Sequence, residues 1–263
     1  MNRINTAIIG SGNVAEALAK ALRDTDEAYV SQICARNRSR GAQLAEACGA
    51  SYVRTPEELD TADIYIIAVS DKAVSETASA IPDTADAVVA HTCGGLTIDA
   101  IDGKHAHRAV IYPLQTFTSG RAIDMATVPL FTEYSDAVAQ DIAGRIARIL
   151  SRTVTEADST TRNKLHVAAV LACNFSNHLY YLASRIAAKA GIGFDALKPI
   201  ITETAAKACS TDDPANVQTG PAVRHDEVTL RRHMEILAAE GDERLTKIYE
   251  LLSDDIWETS RKI

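Results

Sequence analysis

The sequence predicts an α/β protein, with an N-terminal Rossmann domain built on a doubly wound, mostly parallel sheet and an all-helical C-terminal domain. Three observations support this fold class. Short β-branched runs alternate with helical segments up to about residue 156, and a glycine-rich turn follows the first run. After residue 158 strand-like runs stop, and long stretches of Ala and Leu with helical spacing begin. We therefore predict domains over residues 1–156 and 157–263.

The individual elements follow from the same patterns. The predicted strands are residues 6–9, 30–35, 64–69, 87–91 and 108–111, and the runs 128–132 and 152–155 should extend the sheet around a helix over 135–150. In the second domain we predict helices over 159–190, 194–208 and 226–260, the last interrupted near Gly241. A break of the first of these helices near Asn174 is an equally good interpretation.

Composition and charge exclude several classes of protein. The 263 residues carry a formal net charge of -8, which disfavours binding to nucleic acid. The apolar stretches are far shorter than the roughly 20 residues that cross a bilayer, so we expect no membrane span. The first strand begins almost at Met1, which leaves no room for a signal segment, and the five scattered cysteines are typical of reduced thiols. The expectation is a cytoplasmic protein without a metal site.

A glycine-rich turn carries the clearest functional signal. Residues 10–15 read Gly-Ser-Gly-Asn-Val-Ala, directly after an apolar strand and at the start of a helical segment, which is the context of a dinucleotide-binding fingerprint. Gly10 permits the tight turn, Gly12 lets the backbone approach a pyrophosphate, and Ala15 allows close packing of helix on strand. Backbone amides at the helix start attract the anion. We predict that Gly10, Ser11, Gly12, Asn13 and Val14 bind the cofactor.

The residues that end the second strand indicate which dinucleotide is bound. An NAD site places Asp or Glu there, whereas this sequence has Arg36, Asn37, Arg38 and Ser39. Guanidinium groups bind phosphate as rigid forks, so this cluster favours NADP over NAD. The alternative is a solvated basic helix start. Two later loops should reach the same edge of the sheet, and from them we add Val69, Ser70, Lys72, Thr92 and Cys93 to the cofactor site.

Several side chains could supply a proton to a reaction at this edge. Lys164 lies in the first turn of a helix, where a cation opposes the helix dipole unless something uses it, although Asp158 could simply compensate its charge. At 100° per residue His178 falls close to the face of Lys164, and Asn174 is displaced by almost a quarter turn. His91 ends a strand at the cofactor edge. We predict Lys164, His178, Asn174 and His91 as catalytic residues, with a structural role as the alternative for both histidines.

Polar loops supply candidate substrate-binding residues. Gln115 and Thr116 follow Pro113, and Arg224 follows the Gly220-Pro221 pair. An arginine in such a loop can bind a carboxylate or phosphate. The alternative is that Arg224 and Asp226 start and cap the last helix.

The chain resembles the Rossmann-like proteins that carry a DUF2520 C-terminal domain, which are relatives of pyrroline-5-carboxylate reductase and of 6-phosphogluconate dehydrogenase-like enzymes. The resemblance covers essentially the whole length, and its marks are residues 10–15, 91–94, 112–117, 164–169, 174–178 and 218–226. It implies an NADP-type Rossmann domain, a helical domain of the 6-phosphogluconate dehydrogenase C-terminal type, and a homodimer. Related dehydrogenases often place Asn four residues after the Lys, where this chain has Ala168.

Two functions fit these observations. The first is an NADP-dependent oxidoreductase that transfers a hydride between nicotinamide and a small carbonyl or imine substrate. The second is a non-catalytic NADP-binding sensor of redox state or of a metabolite. In either case a predicted helix of about 30 residues would be about 45 Å long, which is longer than a small domain needs. We therefore expect a second subunit to cover part of it, in a homodimer formed through the C-terminal helices.

Overall fold

The computed structural model describes residues 3–23, 25–83, 85–101 and 103–263. By its contacts the chain divides into two compact units, Met1–Asn174 and Phe175–Ile263. This division falls later in the chain than the predicted domain boundary at residue 156, which stays a prediction.

The first unit is built on one sheet. Its strands are β1 (Ile4–Ile9), β2 (Ala28–Cys34), β3 (Ser51–Val53), β4 (Ile64–Ile67), β5 (Val88–His91), β6 (His107–Pro113), β7 (Leu130–Tyr134) and β8 (Val154–Glu156). Across the described residues the strand order is β3-β2-β1-β4-β5-β6-β7-β8. Strands β1 to β6 are parallel, β7 is antiparallel to β6, and β8 is parallel to β7. The predicted fold class is confirmed, and β3 is an addition that the sequence analysis did not predict.

Helices cover both faces of this sheet. They are α1 (Asn13–Arg23), α2 (Arg38–Cys48), α3 (Val74–Ala80) and α4 (Ala137–Leu150). Successive residues of a strand point to opposite faces, and β4 shows the result. Ile64 and Ile66 pack in the cluster that contains the apolar sides of α1 and α4, while Tyr65 and Ile67 pack in the cluster that contains α3. Burial on both faces explains why the strands read as continuous apolar runs.

The strand order reverses at β1, which pairs with β2 on one side and with β4 on the other. The chain therefore runs from β1 to β2 on one side of this point, and from β4 to β5 on the other. In open α/β sheets this reversal opens a crevice beyond the carboxyl ends of the strands. The fold thus places the turn after β1 at the position where such proteins bind ligands.

The helical stretch that begins at Ser159 changes its periodicity partway. It consists of α5 (Ser159–Ala169), a π-helical turn (Val170–Phe175) and α6 (Ser176–Lys189). A π-helical turn bonds residue i to i+5 and so takes more residues per turn than an α-helix. Side-chain positions calculated at 100° per residue are therefore not valid across residues 170–175. The reasoning that puts Lys164 and His178 on one face loses its basis here.

The second unit contains α6, α7 (Lys198–Cys209), α8 (Glu227–Ala239) and α9 (Glu243–Ser260). The break between α8 and α9 falls at Gly241, whose φ of 70° is left-handed, as the sequence predicts. Asp226 begins α8 by accepting a hydrogen bond from the backbone N–H of Thr229. In the parts of the chain described above, no helix has both the length and the apolar character to cross a membrane.

Candidate functional site

The turn between β1 and α1 has the backbone that the glycine pattern predicts. Gly10 has a φ of 133°, and a Cβ there would lie 2.2 Å from the carbonyl oxygen of Ala68, so only glycine fits. A Cβ on Gly12 would meet nothing within 4 Å, so space lies open above this backbone. Ala15 is fully buried where α1 packs on the sheet. The turn therefore combines one glycine that the fold requires with one that leaves room for a ligand.

Asn13 fixes the start of α1 to its surroundings. Its Nδ2 donates to the carbonyl oxygen of Phe117 at 2.9 Å, and its Oδ1 accepts from Arg40 at 3.5 Å. The loop after β6 is thereby linked to the turn after β1. Asn13 is thus a structural link as well as a residue of the crevice described next.

A crevice of about 910 Å³ lies at the carboxyl edge of the sheet within the first unit. The predicted cofactor residues that line it are Gly10, Ser11, Gly12, Asn13, Val14, Arg36, Asn37, Val69, Ser70 and Thr92. The predicted residues Arg38, Ser39, Lys72 and Cys93 are not among its lining residues. Of the predicted substrate residues, Gln115 lines it. The structure therefore brings most of the predicted dinucleotide site to one cavity.

The basic cluster lies at the junction of β2 and α2. All four of its residues are exposed, namely Arg36, Asn37, Arg38 and Ser39. Asn37 is the N-cap of α2, and its side chain accepts a hydrogen bond from the backbone N–H of Arg40. Within the described residues neither Arg36 nor Arg38 forms an ion pair with a carboxylate. Their guanidinium groups are accordingly available to an anion. Cys34, the last residue of β2, has its pKa raised to about 12 by burial and by the nearby charges of Glu58 and Glu57.

One wall of this crevice consists of residues that the sequence did not predict. Arg54, Thr55, Pro56 and Glu57 follow the unpredicted strand β3, and Glu76 and Thr77 belong to α3. Phe117 lies in the loop that Asn13 holds. The short stretch Ser51–Val53 before Arg54 could have indicated this wall, because a parallel strand there ends at the same edge of the sheet. Glu57 and Glu76 make the wall acidic, so any attraction for a phosphate is local to Arg36 and its neighbours.

His91 is the last residue of β5 and Cys93 lies in the loop after it, and both side chains are buried. Burial, then a hydrogen bond and the charge of Asp71, raise the pKa of the Cys93 thiol well above its ordinary value, so it is neutral. His91 is fully buried, its Nδ1 accepts from the backbone N–H of Cys93, and its Nε2 lies 3.1 Å from the carbonyl oxygen of Thr97. Burial lowers its pKa to about 4. This arrangement favours the structural alternative for His91 over the role of an acid.

The other predicted catalytic residues lie along the helical stretch after Ser159. Lys164 and Asn174 are exposed residues of the first unit, and His178 is an exposed residue of the second. Asp158 begins α5, and hydrogen bonds from Thr161, with the charges of Arg162 and Lys164, lower its pKa. The alternative in which Asp158 compensates Lys164 therefore gains support. Arg224 also lies in the second unit, two residues before the cap of α8.

A polar pair that the sequence analysis did not single out lies beside the loop after β5. The hydroxyl of Tyr112, near the end of β6, is 3.2 Å from Nδ1 of His166 on α5. Both residues fall in motifs that carry the resemblance, but no pattern in the sequence links residues this far apart. Only the packing of α5 on the edge of the sheet brings them together.

The fold and the crevice define a dinucleotide-binding Rossmann protein with an appended helical unit. A family model described as "NADP oxidoreductase coenzyme F420-dependent" matches residues 5–92, and "Domain of unknown function (DUF2520)" matches residues 128–256. The crystal structure of "putative NADP oxidoreductase BF3122" from Bacteroides fragilis is 34% identical, with 97% of this chain and 98% of that chain covered and a TM-score of 0.86. The chain therefore belongs to the family of NADP oxidoreductases that join these two domains.

More distant structures share the fold. Protein TM1727 from Thermotoga maritima is 21% identical, with 98% of each chain covered and a TM-score of 0.75. A reductive aminase from Aspergillus terreus, in complex with NADPH and ethyl-5-oxohexanoate, is 14% identical, with 99% of this chain and 95% of that chain covered and a TM-score of 0.71. A comparison with curated proteins finds no match.

Proposed function

We propose that this protein is an NADPH-dependent reductase that adds a hydride to the C=N or C=O bond of a small molecule. The observation that carries this proposal is the crevice at the strand-order reversal, which the glycine turn and Arg36 line together. The fold of the NADPH-bound reductive aminase supports the same chemistry. An NADP-binding sensor without turnover is the competing function, and the experiment below separates the two.

The residues of the crevice fit a dinucleotide. The open space over Gly12 and the backbone amides at the start of α1 suit a pyrophosphate. Val69, Ser70 and Thr92 line the same crevice from the loops after β4 and β5, where the nicotinamide half would lie. When bound, the nicotinamide supplies the hydride, and the protein must orient the substrate and provide a proton.

NADP is the proposed dinucleotide because of the cluster after β2. Arg36 and Asn37 line the crevice, and Arg38 and Ser39 begin α2 beside them. Exposed guanidinium groups that no carboxylate among the described residues neutralises suit the 2′-phosphate of NADP, which a carboxylate at this position would repel. The V8 variant of an imine reductase from Myxococcus stipitatus, which shares the fold, has been crystallised with NAD+, so the fold alone does not select NADP.

We propose residues for substrate binding and for proton donation from their positions in the fold and in the sequence. Gln115 lines the crevice, and its Oε1 accepts a hydrogen bond from the backbone N–H of the adjacent Thr116. These two residues would contact a substrate beside the nicotinamide, with Arg224 as the proposed anion-binding residue of the helical unit. From the sequence, Lys164 is one candidate proton donor, with Asn174 and His178 as its predicted neighbours.

A homodimer through the C-terminal helices is also proposed. The helical unit exposes large apolar side chains, including Ile200 at 64%, Val228 at 79% and Leu251 at 71%. A second copy would cover such surfaces, as obligate dimers do. The thiols of Cys34, Cys93, Cys173 and Cys209 support the proposed cytoplasmic location.

Calorimetry tests the cofactor assignment. NADPH should bind more tightly than NADH, and the double variant Arg36→Ala/Arg38→Ala should lose that preference, whereas the control Arg145→Ala on α4 should keep it. Equal affinities in the parent protein would refute the NADP assignment. NADPH oxidation with a panel of small ketones and imines then tests turnover. Tight NADPH binding with no turnover across the panel would favour the sensor.

A further inference from the structure

Two sequence motifs meet in a polar cluster that the proposed cofactor site does not use. Tyr112 is 8% exposed, and its ring packs against the loop after β5 so closely that a Cβ on Gly94 would lie 2.5 Å from it. Its hydroxyl is 3.2 Å from Nδ1 of His166, and the two rings meet edge to face with centroids 6.0 Å apart. We propose that His166 donates the proton to the substrate of the reductase, and that Tyr112 positions its ring. The inference rests on the proposed function.

Arg162 holds the helix that carries His166. It lies one turn earlier on α5, its side chain is fully buried, and it forms an ion pair with Glu133. Its guanidinium also donates to the carbonyl oxygens of Ala157 at 3.1 Å and Leu96 at 2.8 Å. Residues four apart share a helix face, so the anchor that ties α5 to the loop after β5 also directs His166 toward that loop.

The same loop connects His166 with the crevice. Thr92 lines the crevice, and a Cβ on Gly95 would lie 3.9 Å from Cδ2 of His166. Three residues of chain span at most about 11 Å. Gly95, which lies against His166, is therefore at most about 11 Å along the chain from a residue that lines the part of the crevice assigned to the nicotinamide. Lys164 is two residues from His166 on α5, about 200° around the helix, so it points elsewhere.

The hydrogen bond to Tyr112 suits a ring that changes its protonation state. A hydroxyl both donates and accepts, so it can accept from Nδ1–H of the imidazolium and donate to Nδ1 of the neutral ring. His166 is exposed, and in the described parts of the chain no residue hydrogen-bonds its Nε2. Tyr112 thus fixes one edge of the ring and leaves the other free to act on a substrate.

The proton step can be written in full. When a hydride from the nicotinamide adds to the carbon of C=N or C=O, the π electron pair moves to the nitrogen or oxygen. That atom forms its new bond to the proton on Nε2 of protonated His166, and the Nε2–H bond breaks. The ring is left neutral with its proton on Nδ1, toward Tyr112, and water returns a proton to Nε2. Histidine suits this task because its ordinary pKa lies near neutral pH.

The activity test uses His166→Asn, which keeps a polar atom near the position of Nδ1 but lacks Nε2. Turnover should fall by about 100-fold or more, as for loss of a general acid, while calorimetry shows unchanged NADPH affinity. Tyr112→Phe should cause a smaller loss. A matched control is the pair His233 and Tyr249 in the helical unit, whose Nδ1 and hydroxyl oxygen are 2.6 Å apart. His233→Asn and Tyr249→Phe should leave turnover unchanged.

Nitrogen-15 NMR of the histidine rings gives a readout that does not depend on activity. NADPH should shift the His166 resonances but not those of His105, which is buried against the carbonyl oxygen of Ala78. In the neutral ring the proton should reside on Nδ1, toward the Tyr112 hydroxyl, and Tyr112→Phe should release that preference.

The outcomes separate the inference from the proposed function. A parent protein that fails to bind NADPH refutes the proposed function itself. Full turnover in His166→Asn, or a loss confined to Lys164→Ala, overturns the inference and leaves the reductase standing. If the parent binds NADPH but turns over no panel compound, unshifted His166 resonances overturn the inference. Shifted resonances, with the tautomer released in Tyr112→Phe, support the placement of His166 beside the cofactor and its positioning by Tyr112.

Discussion

The two units of this protein bury their apolar residues to very different extents. In the first unit, clusters of buried side chains fill both faces of the sheet. In the second unit, as far as the structure describes it, the buried apolar residues are Leu182, Ala222 and Leu237. Its helices instead leave Ile200, Val228 and Leu251 mostly exposed. The sheet therefore completes its core with its own chain, whereas the helices leave large apolar side chains exposed.

This difference affects how sharply each unit fixes its side chains. In the first unit, buried groups such as His91 and Arg162 have their hydrogen bonds set by surrounding backbone. In the second unit, the ion pairs of Arg185 with Asp242 and of Lys189 with Glu240 lie at the surface. Exposed pairs contribute little to stability because water competes for both charges. Substitutions of matched chemistry should consequently cost more in the first unit than in the second.

The largest effect should follow Gly10→Ala. Its new Cβ would meet the Ala68 carbonyl oxygen at 2.2 Å at a φ of 133°, so strain and overlap together should cost about 4 kcal/mol. Gly12→Ala is the matched control, because its Cβ meets nothing within 4 Å. It should change stability by less than about 1 kcal/mol yet abolish NADPH binding. Hydrogen exchange of β1 and β4 amides measures the first effect, and calorimetry measures the second.

Two outcomes would contradict that prediction. Equal exchange rates in both variants would mean that the turn adapts to a side chain at Gly10. Retained NADPH binding in Gly12→Ala would mean that the open space above this backbone is not where the pyrophosphate lies.

The next effect compares one ion pair from each unit. Arg162→Leu leaves Glu133 without its buried partner and frees α5 from the loop after β5, so we expect a loss of about 3 kcal/mol. Arg185→Leu breaks the exposed pair with Asp242 and should cost less than about 1 kcal/mol. The chain has one tryptophan, Trp257 in the second unit, so its fluorescence follows that unit while exchange of the sheet amides follows the first. Equal losses would remove the contrast between the units.

The same contrast explains which parts of the structure the sequence could predict. The strands were predictable because parallel strands buried on both faces read as apolar runs, and the glycine turn was predictable because its residues are consecutive. Strand β3 was missed since it has three residues, of which Ser51 is exposed. The wall that begins at Arg54 was missed with it.

Contacts between distant residues were not predictable. Tyr112 and His166 meet because a helix packs at the end of a strand, and no periodicity links them. The face shared by Lys164 and His178 was inferred from a regular helix, but a π-helical turn over Val170–Phe175 intervenes. A local pattern fixes an element, whereas the partner of a side chain depends on packing across the fold.

A smaller effect depends on pH. Burial lowers the pKa of His91 to about 4, so the unfolded chain binds a proton at a higher pH than the folded one does. The free energy of unfolding therefore has its full value above about pH 6.5, and it decreases as the pH falls toward 4 because the unfolded chain gains a proton that the folded chain does not. We expect the first unit to lose about 2 kcal/mol over that range. In His91→Asn, whose amide oxygen can still accept from the Cys93 backbone, that pH dependence should disappear, and an unchanged slope would assign it to other groups.

The smallest effect compares the N-cap residues of two helices. Asp136 is the N-cap of α4, and its side chain accepts hydrogen bonds from the backbone N–H groups of Val138 and Ala139. Burial opposes its ionisation, but hydrogen bonds from Ser135, Ala139 and His107 outweigh it and lower its pKa to about 2. Its contribution is therefore present above about pH 4 and is lost as the pH falls toward 2.

Asp136→Ala should cost about 1 kcal/mol at neutral pH, as the loss of a helix cap does, and less below pH 3. Asp242 begins α9 in the helical unit, where it accepts from the backbone N–H of Leu245 and pairs with Arg185 at the surface. The loss in free energy of unfolding caused by Asp242→Ala, measured by Trp257 fluorescence, should be smaller than the loss caused by Asp136→Ala, measured by hydrogen exchange in α4. If a second copy completes the helical core, Trp257 fluorescence unfolding of both the parent and Asp242→Ala should shift to higher temperature as protein concentration rises, because association stabilises the folded helices. An unfolding temperature that is the same at every concentration would show that these helices are stable without a partner.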